Sequence, residues 1–162
     1  MQINYSNDLT LNLGDSKASH NVVVFANLGC PWCKRWYVNN WRRMTQAVQQ
    51  HKLAIHLKFM NKPKAPLHNG NLANAFVDYR NPKAALLYVK RVYENQVKLD
   101  QFTNDRDVTD YLESHFNVAP KVSQKTQQTI VADGRRNGVL TVPTIFFDGI
   151  KHPDSGWNLP EM

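Results

Sequence analysis

One stretch constrains this chain more than any other: Val22-Val23-Val24-Phe25-Ala26, then Asn27-Leu28-Gly29, then Cys30-Pro31-Trp32-Cys33. The unbroken apolar run reads as a strand buried on both faces. After it Trp36, Tyr37, Trp41, Met44, Ala47 and Val48 recur at helical spacing to about Gln50, and Pro31 suits a first helical turn, where its missing N–H costs nothing. A buried strand therefore delivers two cysteines to the start of a helix. There Cys30 lies among unpaired backbone N–H groups at the positive end of the helix dipole, which favours thiolate over thiol. Leu53 to Met60 alternates Leu53, Ile55, Leu57 and Phe59 with Ala54, His56 and Lys58, the pattern of a further strand. Strand, helix and strand over some forty residues require a parallel pair joined by a right-handed crossover.

Upstream, Leu9, Leu11 and Leu13 before Gly14-Asp15-Ser16 predict a short edge strand and a turn. Downstream, the two prolines of Asn61-Lys62-Pro63-Lys64-Ala65-Pro66 break the pattern. A helical insertion is expected at about 67–136. Its segments are Leu72 to Tyr79, a helix capped by Asn81-Pro82 with Leu86, Val89, Val92 and Tyr93 inward, Asp105 to Phe116, and Pro120 to Asp133. Asp133-Gly134 and Asn137-Gly138 read as helix stop and turn. Val139 to Phe147 is β-rich, and Asp148-Gly149 turns it back through Ile150 as a hairpin. Pro143 sits awkwardly inside that run, because proline cannot donate to a ladder; it demands a special position.

Cysteine usage narrows the chemistry. Cys30 and Cys33 are the chain's only two cysteines, so there is no disulfide framework, and a spaced pair in a reducing cytosol is metal-binding or catalytic. Zinc needs four ligands; a second pair is lacking, and His51 and His56 straddle a helix-to-strand boundary, so no metal is assigned. At i and i+3 the two sulfurs share one helix face, close enough to form a small disulfide ring. The net charge of +7 is spread over scattered basic residues without a nucleic-acid motif, and reads as a solvated surface that steers acidic partners. No stretch has the length of a membrane span and the N-terminus has no export pattern, so one unit over 1–162 with a cytoplasmic location is expected.

Together, Cys30-Pro31-Trp32-Cys33 after the first strand of the βαβ unit, the helical insertion, and Thr141-Val142-Pro143-Thr144 before the Phe146-Phe147-Asp148-Gly149 hairpin resemble the thioredoxin fold in its DsbA-like branch, over roughly residues 9 to 151. The resemblance implies an α/β thioredoxin-like fold with a central mixed sheet. It also implies a cis Pro143 packed against the cysteines, and a Val142 backbone that pairs with an extended substrate segment. Two departures stand out. Val24 occupies the position, six before the first cysteine, where the family often carries a buried acidic residue serving the second cysteine. A closing helix is also doubtful, since His152 to Met162 contain Pro153, Gly156 and Pro160, and the insertion, a partner or the tail with Trp157 must cover that face of the sheet.

The implied function is thiol–disulfide exchange, an oxidoreductase acting on protein disulfides. Cys30, partly exposed, forms a mixed disulfide that the less exposed Cys33 resolves. Pro31 and Trp32 tune the pair without charge, and Trp32 offers an apolar contact surface. Lys34 and Arg35 either lower the Cys30 pKa or are merely solvated. Trp36, Tyr37 and Trp41 are assigned to the core, and no histidine has a role. Expected partners are protein or peptide thiols and disulfides and a redox partner, reductase or oxidase. No cofactor is required, with glutathione a candidate co-substrate. Two rival readings are a glutathione-linked transferase or isomerase on the same fold, and a redox-inactive peptide-binding module.

Overall fold

A computed structural model describes residues 2–162. The buried run becomes β2 (His20–Ala26), paired in parallel with β3 (Leu53–Phe59) at a register that sets Val22 against Ile55 and Phe25 against Lys58. Between them runs α1 (Pro31–Gln49), giving the expected βαβ unit. β1 (Leu11–Leu13) joins β3 antiparallel at one edge; β4 (Thr144–Phe147) and β5 (Ile150–His152) complete the mixed sheet in the order β1-β3-β2-β4-β5. The β4–β5 hairpin turns on Asp148 and Gly149, both at positive φ, as a tight two-residue turn requires. Of the β-rich run from Val139, only the part after Pro143 pairs as strand.

The alternation read in β3 is not a division into core and solvent. Ala54 and Lys58 are as buried as Leu53 and Ile55, and only His56 is partly open. The reason is that both faces of the sheet are covered: α1 packs on one, while the N-terminal segment and α6 (Gln124–Arg136) close on Lys58 from the other.

α1 buries Cys33, Trp36, Met44 and Ala47, and with them Asn40, a polar residue on an apolar stripe. The tail explains it. Residues 153–162 contain no helix and cross α1 as an extended strap: Asn40 Nδ2 donates to Asn158 Oδ1 at 3.1 Å, and Leu159 N–H donates to Asn40 Oδ1 at 2.8 Å. Trp36 Nε1 donates to Trp157 O at 2.7 Å, and Leu159 is fully buried beneath. A strap thus takes the place of a closing helix.

The insertion comprises α2 (His68–Asn74), α3 (Pro82–Glu94), α4 (Gln96–Asp100), α5 (Asp105–Phe116) and α6. Asn81 caps α3 and Asn104 caps α5 through their side-chain oxygens. Three sequence expectations shift. The helix expected over Leu72 to Tyr79 lies earlier, because Asn74 ends it and Phe76, Val77 and Tyr79 turn into the core instead. The last helix begins after the Ser123 cap rather than at Pro120. Asp133-Gly134 lies inside α6 and is no stop: a Cβ on Gly134 would come within 2.9 Å of Met60 Sδ and 3.3 Å of the Phe25 ring, so glycine there permits helix-to-sheet contact.

Candidate active site

Cys30 is the N-cap of α1. Its backbone is extended (φ −86°, ψ 118°), Pro31 fills the first turn, and Cys33 N–H donates to Cys30 Sγ at 3.3 Å. A sulfur therefore occupies the place a serine or aspartate oxygen usually takes at a helix start, where negative charge is stabilised. The preceding loop is fixed from several sides. Asn27 Oδ1 accepts from Gly29 N–H at 2.9 Å, and its amide donates to Met60 O and Asn71 Oδ1. Asn74 Oδ1 accepts from Leu28 N–H, and Gln96 Nε2 donates to Leu28 O at 2.9 Å and Cys30 O at 3.1 Å. Gly29 lies against Gly70 of α2, whose Cα would sit 2.8 Å from any added Cβ.

Opposite the cysteines, the Val142–Pro143 peptide is cis, and Val142 O accepts from the Cys30 thiol at 3.7 Å. Cys30, Cys33 and Val142-Pro143, 112 residues apart along the chain from Cys30 to Val142, thus meet at one place. Pro143 is buried and Val142 half-buried. Pro31 is exposed, and Trp32 is 56% exposed beside the pair.

Contrary to expectation, Cys30 is itself buried, at 4% exposure against 2% for Cys33, because the Val142 side of the site closes over it. Its thiol is nevertheless lowered to about 7. The Cys33 side chain hydrogen-bonds to it and is the largest influence; burial opposes; the N–H groups of Cys33 and Trp32 and the charge of Lys64 complete the lowering. The cation acting here is Lys64, from the loop after β3, in place of the expected Lys34 or Arg35; the Arg35 guanidinium lies over the Trp32 ring at 6.0 Å. Burial pushes the Cys33 thiol well above its ordinary value, reinforced by the hydrogen bond to Cys30 and by its charge. The pair is thus asymmetric, one sulfur prepared as thiolate and the other as proton-bearing donor. The expected consequence is an alkylation rate at Cys30 that follows one ionisation centred at about pH 7. A midpoint near 9.0, the ordinary value, would contradict the arrangement.

Val24, at 3% exposure, supplies no carboxylate, and none is among the groups that act on the Cys33 thiol. The phenol nearest in its electrostatic influence is Tyr93 of α3, which burial and both cysteines push upward. Sequence reasoning did not identify Asn27, Asn71, Asn74, Gln96 or Lys64. For Asn71, Asn74 and Gln96 the readable signal was polar residues recurring where the insertion should be apolar; Asn27 and Lys64 lie in loops and carried none.

A family model described as Thioredoxin matches residues 6–157. The chain belongs to the thioredoxin family. Among curated proteins no sequence matches it. Solved structures similar to this thioredoxin-family chain include a conserved protein of unknown function from Enterococcus faecalis V583, at 23% identity and TM-score 0.87, covering 94% of this chain and 86% of that one. Another is oxidised BdbD from Bacillus subtilis, at 13% identity and TM-score 0.67, covering 95% and 88%. A third is MdbA, a thiol-disulfide oxidoreductase from Corynebacterium diphtheriae, at 16% identity and TM-score 0.61, covering 94% and 87%. At these identities the likeness is one of fold alone, a thioredoxin-like fold. No helix is long and apolar enough to cross a membrane among the described residues.

Proposed function

We propose that the chain exchanges disulfides with protein or peptide substrates through Cys30 and Cys33. The observation that carries the reading is the Cys30 sulfur at the cap of α1, lowered to about 7 and facing Val142 O. In the reducing direction, the Cys30 thiolate attacks one sulfur of a substrate disulfide and releases the other as thiolate. The charge on Cys30 then vanishes into the mixed disulfide, which removes one influence holding the Cys33 proton in place. Cys33 loses that proton and attacks Cys30 Sγ, expelling the second substrate thiolate. Two electrons pass to the substrate, the Cys30–Cys33 disulfide forms, and two protons convert the released thiolates to thiols. The backbone of Val142 aligns the extended substrate segment as an added strand, with Trp32 as apolar contact. Glutathione, or a dedicated reductase, returns the pair to its reduced state.

The electrostatics favour a reductase or isomerase over a strong oxidant. Because the folded Cys30 value is depressed, its stabilisation of the reduced fold is fully present above pH 9.0 and is lost as the pH falls through about 7. At pH 7 it amounts to only about 0.4 kcal/mol, about 10 mV of potential. With just two cysteines in the chain, this suits a reducing, cytoplasmic setting. The test is the reduction potential of the pair as a function of pH, alongside reduction of insulin. The potential should fall by about 60 mV per pH unit below about pH 7 and by about 30 above it, as the reduced pair comes to bind one proton fewer. A pair that does not equilibrate with glutathione, or one with a steep slope throughout, would refute the reading.

A further inference from the structure

Three cations, of which Lys64 acts on Cys30, cluster on the approach to the cysteine pair. Lys62 and Lys64 lie in the loop after β3, and Arg135 in the last turn of α6. Asn61, the neighbour of Lys62, lines one groove with Arg135, and the charges of Lys64 and Arg135 both act on Lys62 while that of Lys64 reaches Cys30, so the three share one side of the molecule. Among the described residues, none of the three has a carboxylate within ion-pair distance. Like charges brought together without a counter-ion repel, and an arriving anion relieves them. Lys62 Nζ also donates to Leu140 O at 2.7 Å, which ties the patch to the loop leading into Val142-Pro143. On the same loop Leu140 is 77% exposed, and across the cysteines Trp32 is 56% exposed. Past Arg135 an open groove of about 530 Å³ continues along α6, mainly apolar through Val131 and Ala132 and edged by the amides of Asn61, Gln124, Gln127 and Gln128. Side-chain amides both donate and accept, which suits the backbone of an extended chain.

We propose that Lys62, Lys64 and Arg135 form a carboxylate subsite that selects peptide segments in which Asp or Glu flanks the reacting cysteine. The inference rests on the thiol–disulfide exchange reading and names its substrate class. An extended acidic segment fits better than a small anionic thiol because the groove runs on beyond the cations, with Val131 and Ala132 to meet apolar side chains and the rim amides to meet further backbone. Apolar contacts on Trp32 and Leu140 hold the residues next to the cysteine, and the cations fix the side on which the acidic flank lies.

The experiment compares three peptide disulfides of one length, with Glu, Gln or Lys flanking the cysteine, for exchange with the reduced protein. At low salt the Glu peptide should exceed the Lys peptide about tenfold in kcat/KM, and at about 0.5 M salt the ratio should shrink to about twofold. In the double variant Lys64→Gln/Arg135→Gln the ratio should approach one. Taking a ratio cancels the change in Cys30 reactivity that losing Lys64 brings to all three peptides. Equal rates for Glu and Lys peptides in the native protein would overturn the subsite while leaving the exchange reading intact. So would a ratio unchanged in the double variant. Glutathione disulfide outpacing the Glu peptide would assign the cations to a small thiol instead, overturning the peptide assignment. If no disulfide of any charge exchanges, the exchange reading falls and the subsite with it.

Discussion

Cys30→Ser should reduce thiol–disulfide exchange to the uncatalysed background, while Cys33→Ser should still perform the first attack and stop there as a mixed disulfide. The contrast follows from the cap. Serine is itself a favoured N-cap residue, so Oγ can take over the hydrogen bond from Cys33 N–H and α1 keeps its start. What disappears is a sulfur lowered to about 7; a hydroxyl in the same place remains protonated and does not attack a disulfide. Serine at position 33 retains a hydroxyl donor toward Cys30, so the thiolate persists, but no second sulfur is left to expel the substrate. Incubation of each variant with a protein disulfide, followed by mass measurement under non-reducing conditions, should show an adduct for Cys33→Ser alone. Retained turnover in Cys30→Ser would exclude the mechanism. Full turnover of Cys33→Ser with glutathione would point to the glutathione-linked transferase reading.

The pieces of this site that lie close together in the chain were the legible ones. The five apolar residues of β2, the Cys30-Pro31 start of α1 and the helical spacing to Val48 each follow from local rules, and the structure places them within a residue or two. Pro143 was legible by its incongruity, a proline in a run of β-formers. The supports of the site were not. Gln96 and Asn74 hold the carbonyl and N–H of Leu28 from 68 and 46 residues away, and nothing in their own neighbourhoods marks them as partners of that loop. Lys64 acts on Cys30 only because the loop after β3 returns beside the start of α1, a consequence of the parallel pairing. Asn40, a polar residue buried in the apolar stripe of α1, finds partners in Asn158 and Leu159 of the strap, 118 and 119 residues away. Local propensity reads elements; the polar residues that join elements need the third dimension.

Asp133→Ala should destabilise the fold by about 3–5 kcal/mol, because it strands a buried charge. Lys58 and Asp133 are both fully buried, with Nζ 3.0 Å from Oδ2. Lys58 also donates to Thr10 Oγ1 at 2.8 Å and Asn4 O at 2.6 Å, so its three protons are all placed. Asp133 accepts in addition from Asn4 N–H and from Arg136 Nη2 at 2.8 Å. One ion pair therefore fastens β3, the N-terminal segment and α6 together on the face of the sheet away from α1. Burial pulls the Lys58 ammonium below its ordinary value, and the attraction of Asp133 opposes that pull. Without the carboxylate, the ammonium keeps two neutral acceptors and no counter-charge. In thermal denaturation the loss should read as a fall of roughly 6–20 °C in Tm. Lys58→Met should cost less, since Asp133 retains Arg136, which is half exposed and able to stay solvated beside it. Adding Asp133→Leu to Lys58→Met should leave the protein closer to the native Tm than Asp133→Ala alone, because an apolar pair no longer buries an unmatched charge. The Cys30 alkylation profile should keep its midpoint in every variant that folds, since the pair lies on the opposite face of the sheet. A fall of less than about 2 °C for Asp133→Ala would mean that water reaches Lys58 and that the pair does not fasten this face.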